Sequence, residues 1–271
     1  VALLSFLFTA LLLASAGAYS SPADGPGGEP AAGDDQEGVG YEDTPVLPGS
    51  TWRVHDKHRP VPAVVAPGPA PAQAAAVPGD ATVLLKAGDA SAWNQGGKPV
   101  TWKFDGDALV VTGGGNIETN AAFGDCQLHL EFATPPAEGE SQGRGNSGLF
   151  LMGRYEVQIL DSFNNRTYAD GQCAALYGQY PPLVNAARAP GEWQTYDLVF
   201  RAPRFDGERL VSPARITLLH NGVLVHDNQE FLGATQHRAV ATYAAHAEKL
   251  PIGLQDHGNP MRFRNIWIRP L

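Results

Sequence analysis

Cysteine, methionine and positive charge are scarce in this chain. Only Cys126 and Cys173 occur in 271 residues. They allow one disulfide or two buried thiols, and a bridge requires Cα atoms within ~7 Å. No C-x-x-C or H-x-x-x-H pair is present, which disfavours a closed structural zinc site. No G-x-S-x-G elbow is present either, which counts against an α/β-hydrolase. Lys and Arg number 19 and the formal net charge is -9. Nucleic-acid binders need clustered cations, so no nucleic-acid partner is expected. The sequence shows no long amphipathic helix, no heptad and no internal repeat.

What is abundant is turn chemistry, with 31 glycines and 22 prolines between short apolar runs. That combination predicts an all-β domain with many loops. The first residues form an apolar run that ends in small residues, with Ala14-Ser15-Ala16 and Ala16-Gly17-Ala18 as small-x-small sites. Residues 1–18 are therefore expected to be a signal peptide, although the usual positive start is missing. The run is shorter than the ~20 apolar residues of a spanning helix. Export to the periplasm or beyond, with no stable membrane span after cleavage, follows as an expectation. Residues 19–40 read as a disordered linker. Residues 41–66 hold Tyr41, Trp52 and Val54 among prolines and predict an extended segment packed on the domain. Residues 67–80 read as a Pro/Ala linker, and the domain proper spans 81–271.

Within the domain, Cys126 to Ala133 alternates Leu128, Leu130 and Phe132 with Gln127, His129 and Glu131, the period of a half-buried strand. Asn221-Gly222 between two apolar runs is the clearest hairpin turn, and Asp105-Gly106-Asp107 marks another. Residues 231–249 read as loop with room for a helical turn over 239–245. The stretch 143–161, GRGNSGLFLMGRYEVQILD, opens as a glycine-rich turn and reads as one long strand. Its G-x-G-x-x-G match precedes a strand rather than a helix, so the dinucleotide reading fails. Tyr155, Val157 and Ile159 form an apolar face, and Arg154, Glu156 and Gln158 form a polar one. The polar face either meets water or builds a site, and the pattern alone favours water.

Several strings together are specific: GRGNSGLFLMGRYEVQILDS, TYADGQCAALYGQYPPLVNAAR, PGEWQTYDLVFRAPRF and LQDHGNPMRFRNIWIRPL. They resemble the 3-keto-disaccharide hydrolase family of exported bacterial proteins, over residues 81–271. The resemblance implies a concanavalin A-like jelly-roll sandwich of two antiparallel sheets. It also implies a carbohydrate substrate, a glycoside whose ring is oxidised to a ketone at carbon 3. Such a ketone acidifies the hydrogen on carbon 2. Its removal gives an enediolate, which expels the group on carbon 1, and water then adds back. That chemistry needs a base, an acid near the leaving oxygen, and donors or a divalent cation for the enolate oxygen. Glu156 and His257 are the candidates for base and acid, in either order. Asn146, Arg154, Gln158 and Gln255 are candidates for hydroxyl or enolate contacts. Asp161 and Asp256 are candidates to hold a cation. Glu156 and Asp161 as a retaining carboxylate pair would need a bulge to share a face. Two competing readings are a non-catalytic sugar-binding module on the same fold and an exported protein that docks a partner through residues 41–65.

Overall fold

The computed structural model describes residues 38–70 and 72–271. The expected signal peptide and all but the end of the first linker lie outside the described residues. Residues 38–271 form one compact unit.

Among the described residues, every pair of strands is antiparallel. The larger sheet runs in the order Val223–Glu230, Arg215–His220, Gln194–Arg201, Cys126–Ala133, Arg262–Pro270, Ala108–Val110 and Lys103–Asp105, with Thr82–Leu85 also on Arg262–Pro270. The smaller sheet runs Trp93–Asn94, Ile117–Thr119, Gly253–Leu254, Ser147–Leu151 and Tyr155–Ile159. A core cluster joins Leu128, Leu130, Phe132, Tyr196 and Phe263 of the first to Leu149, Leu151, Tyr155, Val157 and Leu254 of the second. Burial of each large side chain contributes ~1.5–3 kcal/mol, and the two inner faces together make the dominant favourable term. This is a jelly-roll β-sandwich. Among the described residues, no helix is long and apolar enough to cross a membrane.

Turn chemistry explains the hairpins. Asn221 and Gly222 have φ of 54° and 79°, the paired positive values that match strand twist in a two-residue loop. The stretch 143–161 departs from expectation. It is two strands, Ser147–Leu151 and Tyr155–Ile159, folded back on each other. Met152 and Gly153 form the turn, with φ of 55° and 61°. Methionine at positive φ carries no turn signal in sequence, so the break was hidden. The expected helical turn over 239–245 is absent; Ala234 instead bridges Thr242 in extended backbone.

The outer face of the larger sheet also departs from the half-buried pattern, because His129 and Glu131 are both buried. The Pro/Ala stretch lies against them. The Ala75 amide donates to Glu131 Oε1 at 2.8 Å, and Asn265 Nδ2 donates to the Ala75 carbonyl at 2.9 Å. Arg188 Nε donates to the Gly68 carbonyl at 3.2 Å. Within this Pro/Ala linker, residues 67–70 and 72–80 are thus held to the domain by hydrogen bonds at Gly68 and Ala75. Burial disfavours charge on both acid and base here, but mutual hydrogen bonding wins. Glu131 is held at about 2 despite burial, by His129, Asn265, Ala75 and Arg264. His129 is held at about 9 despite burial, by Asp197 and Glu131. Cys126 and Cys173 are separate buried thiols. Burial pushes them up to about 12 and about 11, which makes both unreactive at neutral pH.

Candidate active site

The smaller sheet carries its site on the face turned away from the core. Period two sends Tyr155, Val157 and Ile159 inward and leaves Glu156 and Gln158 on the outer face. The neighbouring strand places Phe150 opposite Glu156 and Gly148 opposite Gln158. Gly148 is required for space: a Cβ there would come within 2.5 Å of Glu156 Oε1 and 2.9 Å of Phe150. The carboxylate therefore lies across the adjacent strand.

Three loops wall this face in. The Gln255 amide donates to the Gly148 carbonyl at 3.0 Å, and Ser147 Oγ donates to the Gln255 carbonyl at 2.7 Å. That edge pairing carries His257 to the rim, and Asn259 Oδ1 accepts from the Asn146 amide at 2.8 Å. On the other side, the Gln158 amide donates to the Ala175 carbonyl at 2.9 Å, which brings Tyr177 alongside Glu156. The Glu156 amide donates to Thr235 Oγ1 at 3.0 Å, fixing the third loop. The result is a cavity of about 320 Å³ lined by Asn146, Phe150, Glu156, Gln158, Tyr177, Thr235, His237, Gln255 and His257.

Of the residues expected from sequence, Glu156, His257, Asn146, Gln158 and Gln255 converge here. Arg154 does not. It sits exposed just past the hairpin turn, where alternation no longer sets its face, and it contributes its carbonyl to Thr235 at 2.8 Å. Asp161 is buried below the glycine turn and accepts from Arg144 Nε at 2.6 Å. Burial raises its pKa, opposed by Arg144. Neither the carboxylate-pair reading nor a ligand role suits it. Asp256 accepts from the Gly115 and Gly258 amides, both at 3.0 Å, as a turn residue does. Among the described residues, no three His, Cys, Asp or Glu side chains converge. Neither Asp161 nor Asp256 lines the cavity. Thr235 and His237 were not expected because they sit in a loop without periodicity, and Phe150 because its strand read as continuous with the next.

Glu156 is the electrostatic centre. It is 5% exposed, and desolvation alone pushes it up to about 8. At neutral pH it therefore carries its proton. The Gln158 amide has partners either way round. In one orientation Nε2 donates to Gln142 Oε1 at 2.9 Å. In the other, its nitrogen donates to Glu156 Oε1 at 3.2 Å and to the Ser147 carbonyl at 3.1 Å. An ionised carboxylate only accepts, so charge on Glu156 favours the second. His237 is lowered by partial burial and by the nearby His55 and Arg238. Its Nδ1 lies 3.2 Å from the Tyr177 hydroxyl, which is 2.8 Å from that of Tyr168.

Comparison with known proteins bears on the family and the fold. Residues 80–269 match the model of the 3-keto-α-glucoside-1,2-lyase-like domain. The chain belongs to this family. A crystal structure of a proposed glycosyl hydrolase from Parabacteroides distasonis ATCC 8503 is 41% identical, with a TM-score of 0.71 over 79% of this chain and 94% of the other. A second structure from that organism, also a proposed glycosyl hydrolase, is 22% identical with a TM-score of 0.50 and shares the fold, over 68% of this chain and 96% of the other. No curated protein matches the chain. As a member of the 3-keto-α-glucoside-1,2-lyase-like family, the chain is a glycoside-cleaving hydrolase or lyase.

Proposed function

We propose that the cavity cleaves 3-keto-glycosides by proton abstraction at carbon 2, elimination from carbon 1 and hydration. The observation that carries this reading is a buried, neutral Glu156 facing the same cavity as His257 and three side-chain amides. His257, exposed at the rim, takes the proton from carbon 2. The electron pair moves onto the carbon 3 oxygen as an enediolate, held by donors among Gln158, Asn146, Gln255 and the Tyr177 hydroxyl. Collapse forms the carbon 1–carbon 2 double bond and breaks the bond from carbon 1 to the leaving oxygen. Glu156 gives that oxygen its proton. Water then adds at carbon 1 and gives one proton to the Glu156 carboxylate. The His257 imidazolium, in exchange with solvent, delivers a proton to carbon 2, and the net change is hydrolysis with both groups restored. A carboxyl of pKa about 8 keeps its proton at neutral pH and still exchanges it readily, as a general acid requires. Export remains part of the proposal, from the apolar start of the sequence.

The test is incubation with a 3-keto-disaccharide, with and without added divalent cation. Release of the second sugar supports the reading. Absence of product in both conditions removes the enzyme and leaves a sugar-binding module.

A further inference from the structure

A second cavity of about 410 Å³ opens beside the first and shares Asn146, Tyr177, His237 and His257 with it. Its remaining lining is Val39, Gly40, Tyr41, Glu140, Ser141, Gln142, Gly143 and Tyr168. Val39, Gly40 and Tyr41 lie outside residues 80–269, the part that matches the family model. The segment before the domain therefore builds one wall of a compartment that opens onto the reacting groups.

That wall is rigidly placed. His55 and Asp170 are both fully buried. Asp170 Oδ2 accepts from the His55 amide at 2.9 Å, and Oδ1 lies 3.1 Å from His55 Nδ1. The imidazole packs against Tyr168 and Tyr177, with ring centroids 4.2 and 4.7 Å away. The Tyr41 amide then donates to the His55 carbonyl at 2.8 Å. Gly40 makes the approach possible: at φ 144° a Cβ would come within 2.5 Å of that same carbonyl. Arg238 lies 4.1 Å from the Tyr41 ring centre and pairs with Asp43 at 2.7 Å. Tyr41 is thus fixed from both its backbone and its ring.

We infer that this compartment receives the sugar leaving from carbon 1, and that Tyr41 makes this chain select a leaving hexose over a small alkyl group. The inference rests on the function proposed above. The chemistry fits a neutral pyranose: aromatic rings suit its C–H faces, while Ser141, Gln142 and the tyrosine hydroxyls suit its hydroxyls. Among the described residues no Lys or Arg lines the compartment and Glu140 does, which suits a neutral sugar better than an anionic one. Sharing His257 and Asn146 places the leaving sugar next to the ring that reacts.

The test is calorimetric binding of a 3-keto-disaccharide and of methyl 3-keto-α-glucoside to the full chain carrying Glu156→Gln, which slows their turnover. In Tyr41→Ala the ratio of disaccharide to methyl-glycoside affinity should fall about tenfold, the worth of a contacting aromatic. Tyr41→Phe, which keeps the ring, should retain the ratio. Glu140→Trp, at an exposed lining position, should block the compartment and lower the ratio without relying on the fold of Tyr41→Ala. An unchanged ratio in Tyr41→Ala and Glu140→Trp, or equal weakening of both ligands, overturns the inference. Turnover is read separately. A wild-type chain that binds with the expected ratio yet cleaves neither ligand refutes the proposed reaction and leaves the subsite standing.

Discussion

Glu156→Gln separates charge from shape at the centre of the site. The amide fills nearly the same volume but cannot ionise. In the unfolded chain the carboxyl titrates at the ordinary 4.5, and in the folded chain burial raises it to about 8. Below 4.5 both states hold the proton, so wild type and variant should differ little. Between 4.5 and about 8 only the unfolded state has released it, and wild type should lose about 1.4 kcal/mol per pH unit relative to the variant. The difference saturates above pH 8, where the variant should be more stable by up to roughly 5 kcal/mol. Groups common to both proteins cancel in the comparison. Urea unfolding at pH 5, 7 and 9 reads it directly. A difference that does not change with pH would refute a buried neutral carboxyl. The same substitution should cut turnover by ~10²-fold or more, the usual worth of a general acid. Wild-type kcat/KM should fall above pH 8 as Glu156 loses its proton; a rise there would reverse its role to base.

The remaining predictions use other parts of the structure. His257→Ala should cut turnover by ~10²-fold or more at little cost in thermal stability, since the side chain is exposed; near-normal rates would remove it from the reaction. Gly148→Ala places a Cβ against Glu156 and should lower kcat/KM by ~10²-fold while the chain stays folded. Glu131→Ala leaves His129 and Arg264 without their buried partner and should cost roughly 3–5 kcal/mol by urea unfolding, with turnover per folded molecule unchanged. In the intact chain the Glu131 contribution is present above 4.5 and lost as pH falls towards about 2. The His129 contribution is present below 6.5 and lost as pH rises through about 9.

Much of this was legible in sequence because it is local. Cys126–Ala133 has the bounds its alternation predicts, and Asn221-Gly222 turns where it should. The face shared by Glu156 and Gln158 follows from period two and survives the hairpin that splits the stretch, because both residues lie in its second strand. Arg154 failed for the same reason: it precedes that strand. The rest depends on contacts between distant residues. His55 meets Asp170 across 115 positions. Thr235 reaches Glu156 from a loop with no pattern, and Ala75 covers Glu131 from a Pro/Ala stretch with no strand or helix periodicity to announce it. Desolvation of Glu156 comes from these enclosing loops. That is why an exposed strand face was the simpler expectation.

The central claim is proton abstraction at carbon 2, and isotope incorporation tests it most directly. A 3-keto-disaccharide cleaved in D₂O should give a 3-keto-sugar carrying one deuterium at carbon 2 at the earliest times, ahead of exchange in enzyme-free product. A 3-keto-sugar product that keeps its original hydrogen at carbon 2 would contradict the account.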